Sequence, residues 1–260
     1  MDTIYYAFAV PLGLAIGSFL NVLIYRLPRK KQFWEGRSYC PQCGKRLYWY
    51  HNIPLISFVA LRGRCSFCKA DISLRYPLVE LLAAGSLVYF LWRFGLSWQA
   101  AAAAFLGFTL IVIFFIDLEF RLIPDAITIP GMIAGLAWSL APGGIGIIDA
   151  LIGLLVGGGA LYLMALLGDW LFKKESMGGG DIKMAAMLGA FLGWQKILLV
   201  FISSAVIGLI VAGAAMAFSE KLRRERVVPF GPFIALAAIL ALLWGDRIIS
   251  YYLNNFIGLS

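Results

Sequence analysis

The chain has 260 residues, 62% of them hydrophobic and only 14% charged, and carries a formal net charge of +8 at pH 7. Its apolar runs are long enough to cross a bilayer rather than only fill a core, which excludes an ordinary soluble enzyme or binding domain. The positive balance is then a matter of membrane topology, not of affinity for nucleic acid.

A helix of roughly 20 apolar residues spans about 30 Å of hydrocarbon. Eight segments are candidates, at approximately 4–25, 77–95, 98–117, 126–141, 147–168, 183–194, 197–218 and 230–252. The predicted fold is an all-α polytopic membrane protein with about eight transmembrane helices and a small zinc-ribbon-like cytoplasmic loop. Its parts are a first transmembrane helix (1–27), the loop (28–76) and a transmembrane domain (77–260). The first segment opens Met1-Asp2-Thr3, without the basic residues of a signal peptide, and reads as a retained anchor. Arg26, Arg29, Lys30 and Lys31 follow it. By the positive-inside rule they hold that end in the cytoplasm and place both chain ends outside. All but three of the 22 Lys and Arg residues then fall in cytoplasmic segments, the exceptions being Arg93, Lys196 and Arg247. Such a basic face also adheres to anionic membrane lipid.

Residues 28–76 contain all four cysteines, as Cys40-Pro41-Gln42-Cys43 and Cys65-Ser66-Phe67-Cys68 with 21 residues between the pairs. Two C-x2-C turns at this spacing match a four-thiolate zinc ribbon, with Gly44 easing the first turn. Disulfides are the competing account, and a reducing cytoplasm disfavours them. Four thiolates fill the coordination sphere of zinc, so the ion is expected to organise the loop rather than perform chemistry.

At the start of the second span, Glu80 follows Pro77 by less than one turn. It reads as a favourable charge at a helix N-terminus, or alternatively as a receptor for a basic substrate segment. The third span ends in Phe114-Phe115-Ile116-Asp117, and Asp125 opens the fourth, where it suits a helix cap. After the fifth span, a polar loop with Lys173, Lys174 and Glu175 leads to Gly178-Gly179-Gly180-Asp181. The segment from Met184 to Trp194 is short and needs a tilted, thinned or re-entrant setting. Asp149 and Asp246 fall near the outer face and receive no functional reading.

Alternating spans bring Asp117 and Asp181 to the same membrane face. An ionisable group at membrane depth is expensive to desolvate and marks function by default. The only histidine, His51, lies in the cysteine loop, which leaves no Ser-His dyad for the membrane domain, and no H-E-x-x-H occurs. What remains is an aspartyl mechanism in which two carboxyl groups share a proton. The catalytic candidates are Asp117 and Asp181, and the metal candidates are Cys40, Cys43, Cys65 and Cys68.

Several motifs stand in order along the chain. They are Gly17-Ser18-Phe19-Leu20-Asn21-Val22 with Tyr25-Arg26-Leu27-Pro28, the paired C-x2-C loop, Arg75-Tyr76-Pro77-Leu78-Val79-Glu80, Ile123-Pro124-Asp125 and Gly178-Gly179-Gly180-Asp181-Ile182-Lys183. On these the chain resembles the type IV prepilin peptidases, bifunctional leader peptidases and N-methyltransferases of type IV pilus and type II secretion systems. The resemblance implies that Asp117 and Asp181 are the catalytic pair of an inner-membrane protease facing the cytoplasm. It implies prepilins or pseudopilins as substrates, cut after a glycine at the end of a short basic leader. It also implies methylation of the new N-terminal amine with S-adenosylmethionine, although no G-x-G-x-x-G unit marks a methyl-donor site here. The G-x-G-D turn is similar to that of presenilin-type proteases, but Ile116 stands where that group has tyrosine. The alternatives are a peptidase without methyl transfer, and a cation transporter with a metal-sensing loop. Against the transporter stand the location of both acids at one face and the lack of an internal repeat.

Overall fold

The computed structural model describes residues 2–257 apart from 33, 35, 174–176 and 219–228. Lys174, Lys221, Arg223, Arg224 and Arg226, which entered the charge argument, and Glu175 of the polar loop lie outside the described residues. The helices in chain order are α1 Asp2–Arg26, α2 Ile56–Ala60, α3 Arg75–Phe94, α4 Trp98–Phe120, α5 Asp125–Ser139, α6 Ile147–Phe172, α7 Gly179–Leu192, α8 Trp194–Phe218 and α9 Gly231–Tyr252. The chain divides into two compact units, Met1–Val112 and Ile113–Ser260.

Helices stand at all eight of the expected places, but not all are long enough to span. Among the described residues, six of them are long and apolar enough to cross a membrane: α1, α3, α4, α6, α8 and α9. The other two, α5 and α7, have 15 and 14 residues. At 1.5 Å per residue they reach about 22 and 21 Å, short of the roughly 30 Å of hydrocarbon.

In the first unit, α1 and α3 pack antiparallel through a ladder with a four-residue step. A Cβ placed on Gly13 would lie 2.5 Å from Ala84 Cα, and one on Gly17 would lie 2.5 Å from Glu80 Cα. Four residues on, Asn21 Nδ2 donates to the Tyr76 carbonyl at 3.0 Å. Small residues at i and i+4 let two helix backbones touch, which is how helices gain dispersion energy in a lipid solvent that offers no hydrophobic drive. Past α1, the buried Arg26 guanidinium donates to the Gln32 and Gly36 carbonyls and turns the chain into the loop.

The second unit is organised around α7, in which every residue from Met184 to Leu192 is buried. Glycines on its neighbours permit this. Gly153 of α6 meets Gly189 backbone to backbone, Gly157 abuts Ala185, and Gly131 and Gly135 of α5 receive Met187 and Phe191. A short helix surrounded in this way satisfies its apolar side chains with protein rather than lipid, so its length is not set by the bilayer. It ends at Gly193, whose φ of 81° is a left-handed value that a side chain would resist. Lys196 in the first turn of α8 pairs with Asp246 in the C-terminal half of α9 at 2.9 Å. Asp246, which had no reading in the sequence, is thus a structural partner.

Candidate active site

Asp117 occupies the last turn of α4 and Asp181 the first turn of α7. Both lie in the second unit, and each has a glycine against its carboxylate, Gly231 at Asp117 and Gly178 at Asp181. Asp117 is 6% exposed and Asp181 is half-buried. The α4 helix closes with Arg121 in a left-handed conformation, its N–H donating to the Asp117 carbonyl at 2.9 Å. That turn sends the chain through Leu122 to Ile123 and Pro124, both buried.

Ile123 is the point at which the acid-bearing turns meet. A Cβ on Gly180 would lie 2.9 Å from Ile123 Cβ, so the backbone just before Asp181 rests on this side chain. Gly231, the first residue of α9, touches the same isoleucine and also Asp117. A Cβ there would lie 3.2 Å from Ile123 Cδ1 and 2.6 Å from Asp117 Oδ2. The N–H of Gly231 donates to the Asp117 carboxyl group. The two carboxyl groups are near enough that the charge of Asp117 acts on Asp181. On the other side of Asp181, a Cβ on Gly178 would lie 3.3 Å from its Oδ2. Gly231 and Gly178 thus let backbone approach Asp117 and Asp181 where a side chain would collide, and Gly180 does the same against Ile123.

Gly231 was not singled out in the sequence, and Ile123 entered only as part of the Ile123-Pro124-Asp125 motif. The one available signal for Gly231 was its setting, Pro229-Phe230-Gly231-Pro232, where a glycine between prolines opens an apolar run. Asp125 lies in the first turn of α5, and its carboxylate holds Lys183 of α7 at 2.7 Å rather than joining the acid pair. The pair is solvent-exposed, so it ties two helix ends for at most about 1 kcal/mol. In the other unit, Glu80 is 7% exposed and its Oε2 accepts the Leu55 N–H at 2.9 Å. A carboxylate so placed is engaged inside its own unit, which removes the reading of Glu80 as an open receptor for a basic segment.

The four cysteines come together. Their sulfurs all lie within 4.8 Å of one another, and Cys40 Sγ is 3.8 Å from Cys68 Sγ. A tetrahedral site with metal–sulfur bonds of about 2.3 Å has sulfur–sulfur edges of about 3.8 Å, so this donor set fits a metal ion. None of the four is in a disulfide. The two knuckles repeat each other at a spacing of 25 residues. Cys40 N–H donates to Lys45 O and Gly44 N–H to Cys40 O, while Cys65 N–H donates to Ala70 O and Lys69 N–H to Cys65 O. The left-handed position is taken by Gly44 (φ 70°) in the first and by Lys69 (φ 59°) in the second. Main-chain N–H groups of Cys68 and Phe67 pull the Cys65 thiol down to about 6. Cys68 goes up to about 11 although the Ala70 N–H opposes this, because burial and the three other sulfurs outweigh that bond. Four sulfurs this close cannot all ionise without a cation among them.

Residues 12–94 match the bacterial peptidase A24 N-terminal domain, and residues 104–213 match the type IV leader peptidase family. A prepilin leader peptidase/N-methyltransferase of Stutzerimonas stutzeri is 41% identical over 95% of this chain and 93% of its own. This chain belongs to the type IV leader peptidase family. Proteins of the same name are 38% identical in Aeromonas hydrophila, over 98% of this chain and 96% of theirs, and 40% identical in Pseudomonas aeruginosa, over 94% and 91%. No solved structure matches the chain. Both matched regions of the chain hold a site described above: the cysteine cluster falls in the first and the acid pair in the second.

Proposed function

We propose that the protein is a membrane aspartyl endopeptidase that removes the basic leader of prepilins or pseudopilins and then methylates the new N-terminal amine with S-adenosylmethionine. The observation that carries the peptidase reading is the meeting of the two acid-bearing turns at Ile123, on which Gly180 rests just before Asp181 and against which Gly231 packs beside Asp117. In such a pair the ionised member takes a proton from water, which attacks the scissile carbonyl, while the neutral member donates a hydrogen bond to the carbonyl oxygen. The pair titrates as a unit. Membership of the leader peptidase family and the names of its relatives support the substrate and the methyl transfer. S-adenosylmethionine supplies the methyl group when bound.

Cys40, Cys43, Cys65 and Cys68 are the residues that would hold one structural zinc ion, with residues 28–76 as the metal loop and 77–260 carrying the peptidase acids. The charge distribution supports a bacterial inner-membrane location with the active site on the cytoplasmic side. The reading is tested with detergent-solubilised protein and a prepilin. Leader release by the wild type and none by Asp117→Asn or Asp181→Asn is the expected result. Cleavage by either variant at the wild-type rate overturns the assignment, and no cleavage by the wild type reopens the transporter.

A further inference from the structure

In α2 the usual sorting of a surface helix is reversed. Ile56, Val59 and Ala60 stand at i, i+3 and i+4, which is one face of a helix, and all three are exposed, Ile56 at 66% and Val59 at 73%. Ser57, the polar residue of the helix, is instead engaged by the loop, its Oγ donating to the Tyr50 carbonyl at 2.7 Å. The Phe58 ring also packs on the loop, 3.2 Å from where a Gly63 Cβ would be. The turn to which Ser57 ties α2, Trp49–Asn52, carries Trp49, which is 80% exposed and stands edge-on to the Tyr50 ring. An apolar stripe and an indole therefore face outward from the same corner of the loop.

The chain on either side fixes the height of this corner. α1 and α3 are both long and apolar enough to span, and the loop joins their neighbouring ends, so it leaves and re-enters one membrane face. The N–H of Leu55, the residue before α2, donates to Glu80 Oε2 at 2.9 Å. Glu80 is the sixth residue of α3, about 7 Å along its axis. At that level α3 exposes Leu78, Leu81 and Leu82, the kind of surface a spanning helix gives to lipid. The start of α2 is thus held beside the membrane end of α3 rather than out in the water.

Charge selects the occupant. From residue 45 to residue 69 the chain carries Lys45, Arg46, Arg62, Arg64 and Lys69, all exposed, and no acidic residue. Aliphatic side chains on one face, Trp and Tyr at its edge and cations around it are the makeup of a segment that lies in the interface of an anionic bilayer. The same cations oppose the other occupants. A second copy would bring an identical basic surface, and a basic leader peptide would be repelled.

We propose that α2 and the turn Trp49–Asn52 form an interfacial anchor, with Ile56, Val59 and Trp49 set into the headgroup region of an anionic leaflet beside α3. The anchor would moor the loop to the bilayer at a third point, besides its two covalent ends, and it stands whether or not the peptidase reading does. The test uses purified full-length protein in nanodiscs of phosphatidylethanolamine and phosphatidylglycerol, with the photo-crosslinker p-benzoylphenylalanine in place of Val59 or of Trp49. Irradiation is expected to give lipid adducts by mass spectrometry at both positions. Adding Ile56→Asp and Val59→Asp to the protein labelled at position 49 is expected to lower its lipid adducts at least about fivefold, because the apolar stripe no longer favours insertion. Both side chains are exposed, so bound metal should not change in that variant. In phosphatidylcholine alone the wild-type adduct yield should fall about threefold as the anionic attraction is lost. Should the label at position 59 prevent accumulation, position 56 lies on the same face and carries the same expectation. Adducts to a second copy or to an added prepilin in place of lipid overturn the proposal. So do an absence of lipid adducts at both positions and a yield at position 49 that the two aspartates leave unchanged. Equal yields in phosphatidylcholine overturn the choice of an anionic surface.

Discussion

In the loop between α1 and α3, the only buried residues among those described from 29 to 76 are Cys40 and Cys65, whereas in α7 nine consecutive residues are buried. The loop has no apolar core to speak of. It is defined by two knuckles and by the Glu80 carboxylate that holds the Leu55 N–H, each a polar device acting at one point. The bundle around α7 holds its acids by close packing, with glycines admitting neighbouring backbones and Ile123 as the common wall. Damage should therefore spread differently in the two regions: locally and selectively in the loop, through the hydrolytic site in the bundle.

The largest effect that would break this contrast is at the acids. Asp117→Asn and Asp181→Asn should each reduce leader cleavage by roughly 10²–10⁴-fold or more, the usual range for losing an acid–base group, with the protein still inserted. Measured rates near wild type for either would detach the bundle from the chemistry. Next comes the metal loop. Cys40→Ser or Cys65→Ser should lose bound zinc and about tenfold or more of methylation while cleavage persists, because a small loop without a core depends on its ion for folding. Quantifying zinc and both activities in the same preparations checks this, and complete loss of cleavage with methylation intact would overturn the expectation.

A sharper comparison lies inside the bundle. Gly231→Ala adds a methyl group 2.6 Å from Asp117 Oδ2, so the α9 end or the carboxylate must shift. A loss of cleavage of about 10²-fold is the order expected for an ångström-scale misplacement, read as a fall in kcat rather than a rise in KM. The smallest effect is expected at the exposed tie between α5 and α7. Asp125→Asn should leave cleavage within a few-fold, since a solvent-exposed ion pair contributes about 0–1 kcal/mol. A collapse of activity in that variant would move Asp125 into the site.

Much of this was legible in the sequence because hydropathy and motif spacing act locally. The helix positions follow from apolar runs, and the two C-x2-C turns announce a four-sulfur cluster before any fold is known. The parts that could not be read depend on which helices touch. Glu80 looked like a charge near a helix start, because nothing in its neighbourhood along the chain indicates that it reaches Leu55, 25 residues earlier. Asp246 and Lys196 are 50 residues apart and carry no shared pattern. Gly231 follows a stretch of basic residues that drew attention as charge, and its contact with Asp117 depends on where α9 begins. The short α7 read as an awkward span because length was compared with the bilayer, whereas its neighbours supply the surroundings that lipid otherwise would.

The ladder of Gly13 on Ala84, Gly17 on Glu80 and Asn21 on Tyr76 has a practical consequence for anyone re-engineering the N-terminal helix. A generic hydrophobic anchor of the same length would deliver the rest of the chain to the membrane and still fail as a replacement. One inserted residue between positions 13 and 21 would swing the contact face by about 100°, one residue's share of a 3.6-residue turn. The first helix is an interchangeable part only if its teeth are copied along with its length.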